Sequence, residues 1–274
     1  MGGKNTFLTI VKNIVAWIIS LVMLVPLLLI LINSLKDKHQ ASSMGMDLPK
    51  SVHFENYLTV IVQGKLLRSF CNSMFYAGTA IIIALILTSM AAYVLSRNKT
   101  KLNKFIYFFI ILGLAMPVNY VSLMKVMQIT HLINTRIGIA LLYAALQVPV
   151  SVFLIYGFIG TVPVELDEAG IIDGCGPIRL YFSIVMPLLK PVLVTVSILT
   201  FMDAWNQFIF PLYYLNSATK WPMTLAVYNF FGQFFKEWNL VCADIILTSL
   251  PVLIIYLLGQ KYIISGMTAG SVKG

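Results

Sequence analysis

Six runs of mostly apolar residues divide the chain, at about 14–35, 72–95, 105–124, 137–160, 192–215 and 243–264. Each reaches the roughly 20 residues that a helix needs to cross the hydrocarbon core of a bilayer. Inside lipid every backbone amide must find its partner within the spanning segment, and runs of this length do so as helices. The predicted fold class is therefore all-α, a polytopic membrane protein with six transmembrane helices. Composition agrees: only 11% of residues are charged, against about 25% in a soluble domain. The first run has no small-residue cleavage site, so it reads as an anchor and not as a removed signal peptide.

The formal net charge is +9. The basic residues sit between the apolar runs, which points to lipid headgroups and membrane orientation and away from nucleic acid. Basic residues summed over the whole chain do not settle orientation. The densest short loop, 97–104, carries Arg97, Lys99, Lys101 and Lys104 and no acid. That loop favours the cytoplasmic side, and an even number of spans then puts both termini there. The long first loop carries Phe54, Tyr57, Leu58 and Ile61 after Pro49, a pattern suited to an interfacial helix. The loop 216–241 is rich in aromatic residues, Phe234 and Phe235 among them, as membrane surfaces are. Asp244, near the outer end of the last span, is expected to meet water.

Motifs for chemistry are missing. The sequence has no Walker A pattern, no G-x-G-x-x-G, no H-E-x-x-H and no G-x-S-x-G. Cys71, Cys175 and Cys242 lack metal-ligand spacing, and His39, His53 and His131 are scattered. The expectation is a chain with no catalytic residues, no metal and no cofactor of its own.

Between the fourth and fifth spans, Pro163 precedes Glu165, Asp167 and Glu168, and Gly174 and Gly176 follow. Proline is tolerated at a helix start, and carboxylates favour its positive end. The glycines then break the helix. A helix of this length is marginal alone in water, so it is expected to pack on something. Spacing alone leaves open whether that is this protein's own membrane face or a partner.

Glu168, Ala169, Gly174, Ile184 and Pro187 resemble the E-A-A, three residues, G, nine residues, I-x-L-P loop of bacterial ABC-importer permeases. Gly170 stands for the second Ala and Met186 for the Leu. The segment Phe201, Trp205, Asn206, Phe208, Pro211 and Leu212 is similar to the fifth-helix signature of carbohydrate importers of the maltose-transporter type. Residues 266–274 resemble that subfamily's G-x-T-x-G-A-V-K-G ending, and Ala91, Ala92, Tyr93 and Arg97 the end of its second helix.

This resemblance implies a type I ABC-importer permease fold in one domain, 1–274. Residues 162–187 would form a cytoplasmic coupling loop and 265–274 a cytoplasmic tail. It implies that Glu165, Glu168, Ala169, Gly170, Asp173, Gly174, Ile184 and Pro187 dock an ATPase subunit. The implied partners are a second permease, two ATPases that bind ATP and Mg, and an extracytoplasmic solute-binding protein. The implied function is half of an alternating-access pathway for a sugar or oligosaccharide across a bacterial plasma membrane. Related subfamilies admit a glycerophosphodiester. An autonomous secondary carrier is the rival from another class, and inverted repeats would mark it.

Asp203, Asn206 and Gln207 fall at i, i+3 and i+4, on one face of the fifth helix. An intramembrane aspartate must be paired or wet. That face is expected either to line the path, with Trp205 or Phe208 offering a ring to sugar, or to staple helices together. Asn119 and Tyr120 after Pro117, and Gln147 beside Pro149, are further path candidates.

Overall fold

The computed structural model describes residues 3–231 and 237–269, and side-chain surroundings for 9–231 and 237–263. In chain order the main helices are α1 (Gly3–Ser34), α2 (Glu55–Gln63), α3 (Leu66–Arg97), α4 (Lys101–Leu112), α5 (Tyr120–Ile129), α6 (Arg136–Ile159), α7 (Glu165–Ile172), α8 (Pro177–Leu180), α9 (Lys190–Asn206), α10 (Ile209–Tyr214) and α11 (Trp238–Ala269). No strand occurs among the described residues.

Four helices are long and apolar enough to cross a bilayer unbroken: Thr9–Ser34 within α1, α3, α6, and Trp238–Ile263 within α11. A fifth crossing is formed if α9 is joined to Pro177–Leu188, which meets it at 77°. The described helices thus give four, or up to five, crossings where six are expected, and the third and fifth runs are not single helices. The third divides into α4 and α5, of 12 and 10 residues. Pro117 has no amide hydrogen and disfavours a helical Met116 before it. The fifth stops at Asn206, because Pro211 cannot donate to the carbonyl of Gln207 four residues earlier. The hydroxyl of Thr224 donates to that oxygen instead, at 2.8 Å. The last helix begins at Trp238 and continues to Ala269, so 265–269 of the expected tail extend it. Residues 270–274, and Phe234 and Phe235 of the aromatic loop, lie outside the described residues.

The chain forms two compact units. One comprises the residues up to Leu67 together with Ala226–Leu250. In it the most apolar stretch of Thr9–Ser34 has no buried residue. It is hydrophobic all round, as a helix bathed in lipid should be. Beyond it, Asn56 of α2 is buried and ties three segments: its amide donates to the carbonyls of Ser34 and Lys36 at 2.8 and 2.9 Å, and its oxygen accepts from Asn239 at 3.0 Å. Lys36 is 2% exposed. Its ammonium donates to Asn33 Oδ1 at 3.1 Å and to the Gly45 carbonyl at 2.7 Å, which offsets part of the desolvation cost of a buried charge. Asp244, expected to be solvated, is 1% exposed instead. A helix follows Pro49 as expected, α2, with Leu58 and Val62 exposed and Val60 buried.

The second unit comprises Arg68–Leu225 with the chain from Pro251 onward. Ala92 and Leu95 of α3, Ile155 and Ile159 of α6, Val185, and Val192 of α9 share one buried cluster. Lipid is as apolar as these side chains, so close van der Waals packing holds the cluster together more than water exclusion does. It joins the ends of α3 and α6 to the segment that leaves the loop containing α7.

Candidate coupling site and polar path

α7 begins just after Pro163 and carries Glu165, Asp167 and Glu168 in its first turn, as the charge pattern predicts. Its end follows from Gly174, whose φ of +77° is a left-handed conformation that glycine adopts freely. The Cys175 amide donates to the Gly170 carbonyl at 3.0 Å and the Gly174 amide to the Ile171 carbonyl at 3.0 Å. This pair of bonds is a Schellman cap, and it satisfies carbonyls that the helix end would otherwise leave open. Gly176 and Pro177 then start α8.

Only Asp167 and Gly170 of α7 are buried. Glu165, Glu168, Ala169, Asp173, Gly174 and Pro187 are exposed, so six of the eight candidate docking residues are available to a partner. Exposed apolar side chains accompany them, Ile171 at 61% and Ile172 at 85%. The other two candidates face inward. A Cβ on Gly170 would lie 2.5 Å from Leu180 Cδ1 and 2.7 Å from Ile184 Cδ1. Glycine therefore lets α7 lie tightly on the segment after it, and half-buried Ile184 belongs to that contact.

The residues that pattern reading missed are Arg97 and Asp167 acting as a pair. Arg97 Nε meets Asp167 Oδ2 at 2.6 Å, with the two side chains 15% and 9% exposed. Both terminal nitrogens of Arg97 also donate to the Val162 carbonyl at 3.1 Å. The end of α3 thus grips the start of α7. Losing one partner of such a buried pair costs about 3–5 kcal/mol. The residue types were visible in the sequence, but nothing in it pairs positions so far apart.

In the second unit, Asp203 is exposed and its Oδ2 accepts from Gln147 Nε2 at 2.6 Å and from Gln207 Nε2 at 3.2 Å. Two amide donors on one oxygen suit a carboxylate acceptor. Among the described residues no lysine, arginine or histidine forms an ion pair with it. Asn206 is also exposed, while Gln147 is 6% exposed and serves as the buried support. The structure thus brings Asp203, Gln207 and Gln147 together. Trp205 does not offer its ring to a path in this chain: it is 2% exposed, stacked on Phe201 at 5.2 Å and edge-on to Phe70 at 5.8 Å. Its neighbour Asn206 is exposed, because successive helical residues lie about 100° apart around the axis. Phe208 is half-buried. Asn119 caps α5 through the Ser122 amide at 2.9 Å, and the Tyr120 carbonyl accepts from the Tyr214 hydroxyl at 2.7 Å. Both residues remain exposed.

Comparison with known proteins places this geometry in a family. The "Probable starch degradation products transport system permease protein AmyC" of Thermoanaerobacterium thermosulfurigenes is 34% identical over 258 residues, 93% of this chain and 94% of that protein. The melibiose/raffinose/stachyose import permease protein MelC of Bacillus subtilis (strain 168) is 34% identical over 265 residues, 96% of each. The crystal structure of a bacterial ABC transporter involved in the import of the acidic polysaccharide alginate contains a chain of the same fold, with a TM-score of 0.83 and 22% identity over 96% of this chain and 98% of that one. Residues 84–269 match the family model described as binding-protein-dependent transport system inner membrane component, a match that takes in α7, the Asp203 cluster, the C-terminal part of α3 and all of α11. The chain belongs to the family of binding-protein-dependent transport system inner membrane components.

Proposed function

We propose that this chain forms half of the translocation path of an ATP-driven importer for a sugar or oligosaccharide. The observation that carries the reading is α7, an acidic helix held to its own chain by Asp167 and Gly170 and turning Glu165, Glu168, Ile171 and Ile172 outward. A helix so short is unstable without a surface to lie on, and the acids with the isoleucines suit a groove that is apolar inside and basic at its rim. The groove is assigned to an ATPase subunit on the cytoplasmic side, which also holds the ATP and Mg. The termini lie on that same side.

The assembly holds a second permease, two ATPases and an extracytoplasmic solute-binding protein. ATP-driven closure of the ATPases moves α7, and the path switches from facing inward to facing outward. Asp203, Asn206 and Gln207, supported by Gln147, line the path together with Asn119 and Tyr120. Carboxylate and amide oxygens there accept from sugar hydroxyls, and the amide nitrogens donate to them. The import names of the AmyC and MelC relatives support a carbohydrate cargo.

The test is purification of the tagged chain from its own host membranes, identification of the co-purifying subunits, and reconstitution in liposomes. Radiolabelled maltotriose, raffinose and diacetylchitobiose are then offered with and without ATP. The reading predicts a stoichiometric ATPase and ATP-dependent uptake of at least one of these. Uptake that ignores ATP, or a chain that purifies with no ATPase, would overturn it.

A further inference from the structure

We propose that the Arg97–Asp167 ion pair is the link through which movement of α7 reaches α3; the proposal rests on the importer reading above. α7 has two attachments of different kinds. At Gly170 it lies on Leu180 and Ile184, and that segment continues through Val185 and Leu189 into the buried cluster at the start of α9. At Asp167 it is held by Arg97, the last residue of α3. Beside this second attachment is a cavity of about 1040 Å³ whose lining includes Tyr93 of α3, Tyr156 of α6, and Gly160, Val164, Glu168 and Ile171. Across that space α3 holds the start of α7 through the ion pair and through Tyr93, whose hydroxyl also interacts with the Asp167 carboxylate.

The two attachments transmit force differently. Apolar side chains in contact resist being pushed together, but their attraction fades within about 1 Å of separation. An ion pair keeps its attraction over several ångströms, because the energy falls only as the inverse of the distance. Here the guanidinium also binds the Val162 carbonyl through both terminal nitrogens and the Pro163 carbonyl at 3.4 Å. One side chain therefore grips the carboxylate of α7 and the backbone leading into it, and it can pull α3 as well as push it. The Gly170 contact hands a push to α9. Arg97 and Asp167 are positioning residues, since neither lines the proposed path.

The test uses the complete importer purified with its ATPase, Cys175 and Cys242 replaced by alanine and the exposed Cys71 of α3 kept as the reporter. The maleimide labelling rate at Cys71 is compared without nucleotide and with ATP plus vanadate, which needs no knowledge of the sugar. The expected rate change is about tenfold in the parent assembly and less than about twofold in Asp167→Asn and Arg97→Gln, with the ATPase still bound. Arg97→Lys, which keeps the ion pair but loses the planar fork, should retain much of the response. A full response in Asp167→Asn, or loss of the ATPase together with the response, would overturn the link. A parent assembly that binds no ATPase would instead overturn the importer reading itself.

Discussion

Enlarging residue 170 tests how tightly α7 is seated. A methyl at Gly170 falls 2.5 Å from Leu180 Cδ1 and 2.7 Å from Ile184 Cδ1, where ordinary carbon contacts are about 3.5–4.0 Å. Both neighbours are the ends of flexible side chains, and displacing each costs about 0.5–1.5 kcal/mol in rotamer strain. Alanine returns about 1 kcal/mol of helix propensity over glycine. Gly170→Ala should therefore change the stability of α7 by no more than about 2 kcal/mol. Gly170→Val adds two further carbons and a stiff χ1, and overpacking of this kind costs about 1–3 kcal/mol more. Hydrogen exchange followed by mass spectrometry reads the result at the Asp173, Gly174 and Cys175 amides, all bonded back into α7. A loss of about 2 kcal/mol speeds exchange through local opening about thirtyfold. Valine at 170 exchanging at the parent rate would refute the close seating of α7 on Leu180 and Ile184.

Glu168→Lys should reduce co-purification of the ATPase by at least about tenfold while membrane insertion stays normal, because it reverses an exposed charge on the docking face. Gly174→Asp forces a side chain onto a φ of +77°, costing about 1–2 kcal/mol, and should loosen the same end of α7 in hydrogen exchange and weaken docking. Asn206→Leu should alter the KM for sugar uptake with ATPase binding intact; unchanged kinetics would assign Asn206 to helix packing. Asn56→Leu strips the Ser34 and Lys36 carbonyls of a donor and Asn239 of an acceptor, at about 1–3 kcal/mol for each group left buried and unpaired. Its thermal midpoint in detergent should fall by several degrees.

The parts of the fold that depend on local pattern were legible. Hydropathy located the four unbroken spans, and the Pro163, acid and Gly174 order located α7 and its cap. What escaped depends on contacts between distant positions. The ends of α4 and α9 are set by proline chemistry at Pro117 and Pro211, and for the latter by the Thr224 hydroxyl that takes over an orphaned carbonyl. Lys36 looks like a loop charge in the sequence and becomes buried because Asn33 and the Gly45 carbonyl converge on it. Asp203 and Gln147 were separate candidates until folding joined them. Trp205, expected with Phe208 as one of two rings a path could offer, is 2% exposed and packs against the rings of Phe70 and Phe201.

The claim on which the account stands is that α7 seats in a nucleotide-burning partner at the cytoplasmic face. A photo-crosslinking amino acid at Ile172, which is 85% exposed, tests it in native membranes without assuming any substrate. Irradiation should join this chain to a protein bearing a Walker A motif, and saturating Glu168→Lys in the same chain should weaken the adduct. An adduct only with lipid or with an extracytoplasmic protein would contradict the account.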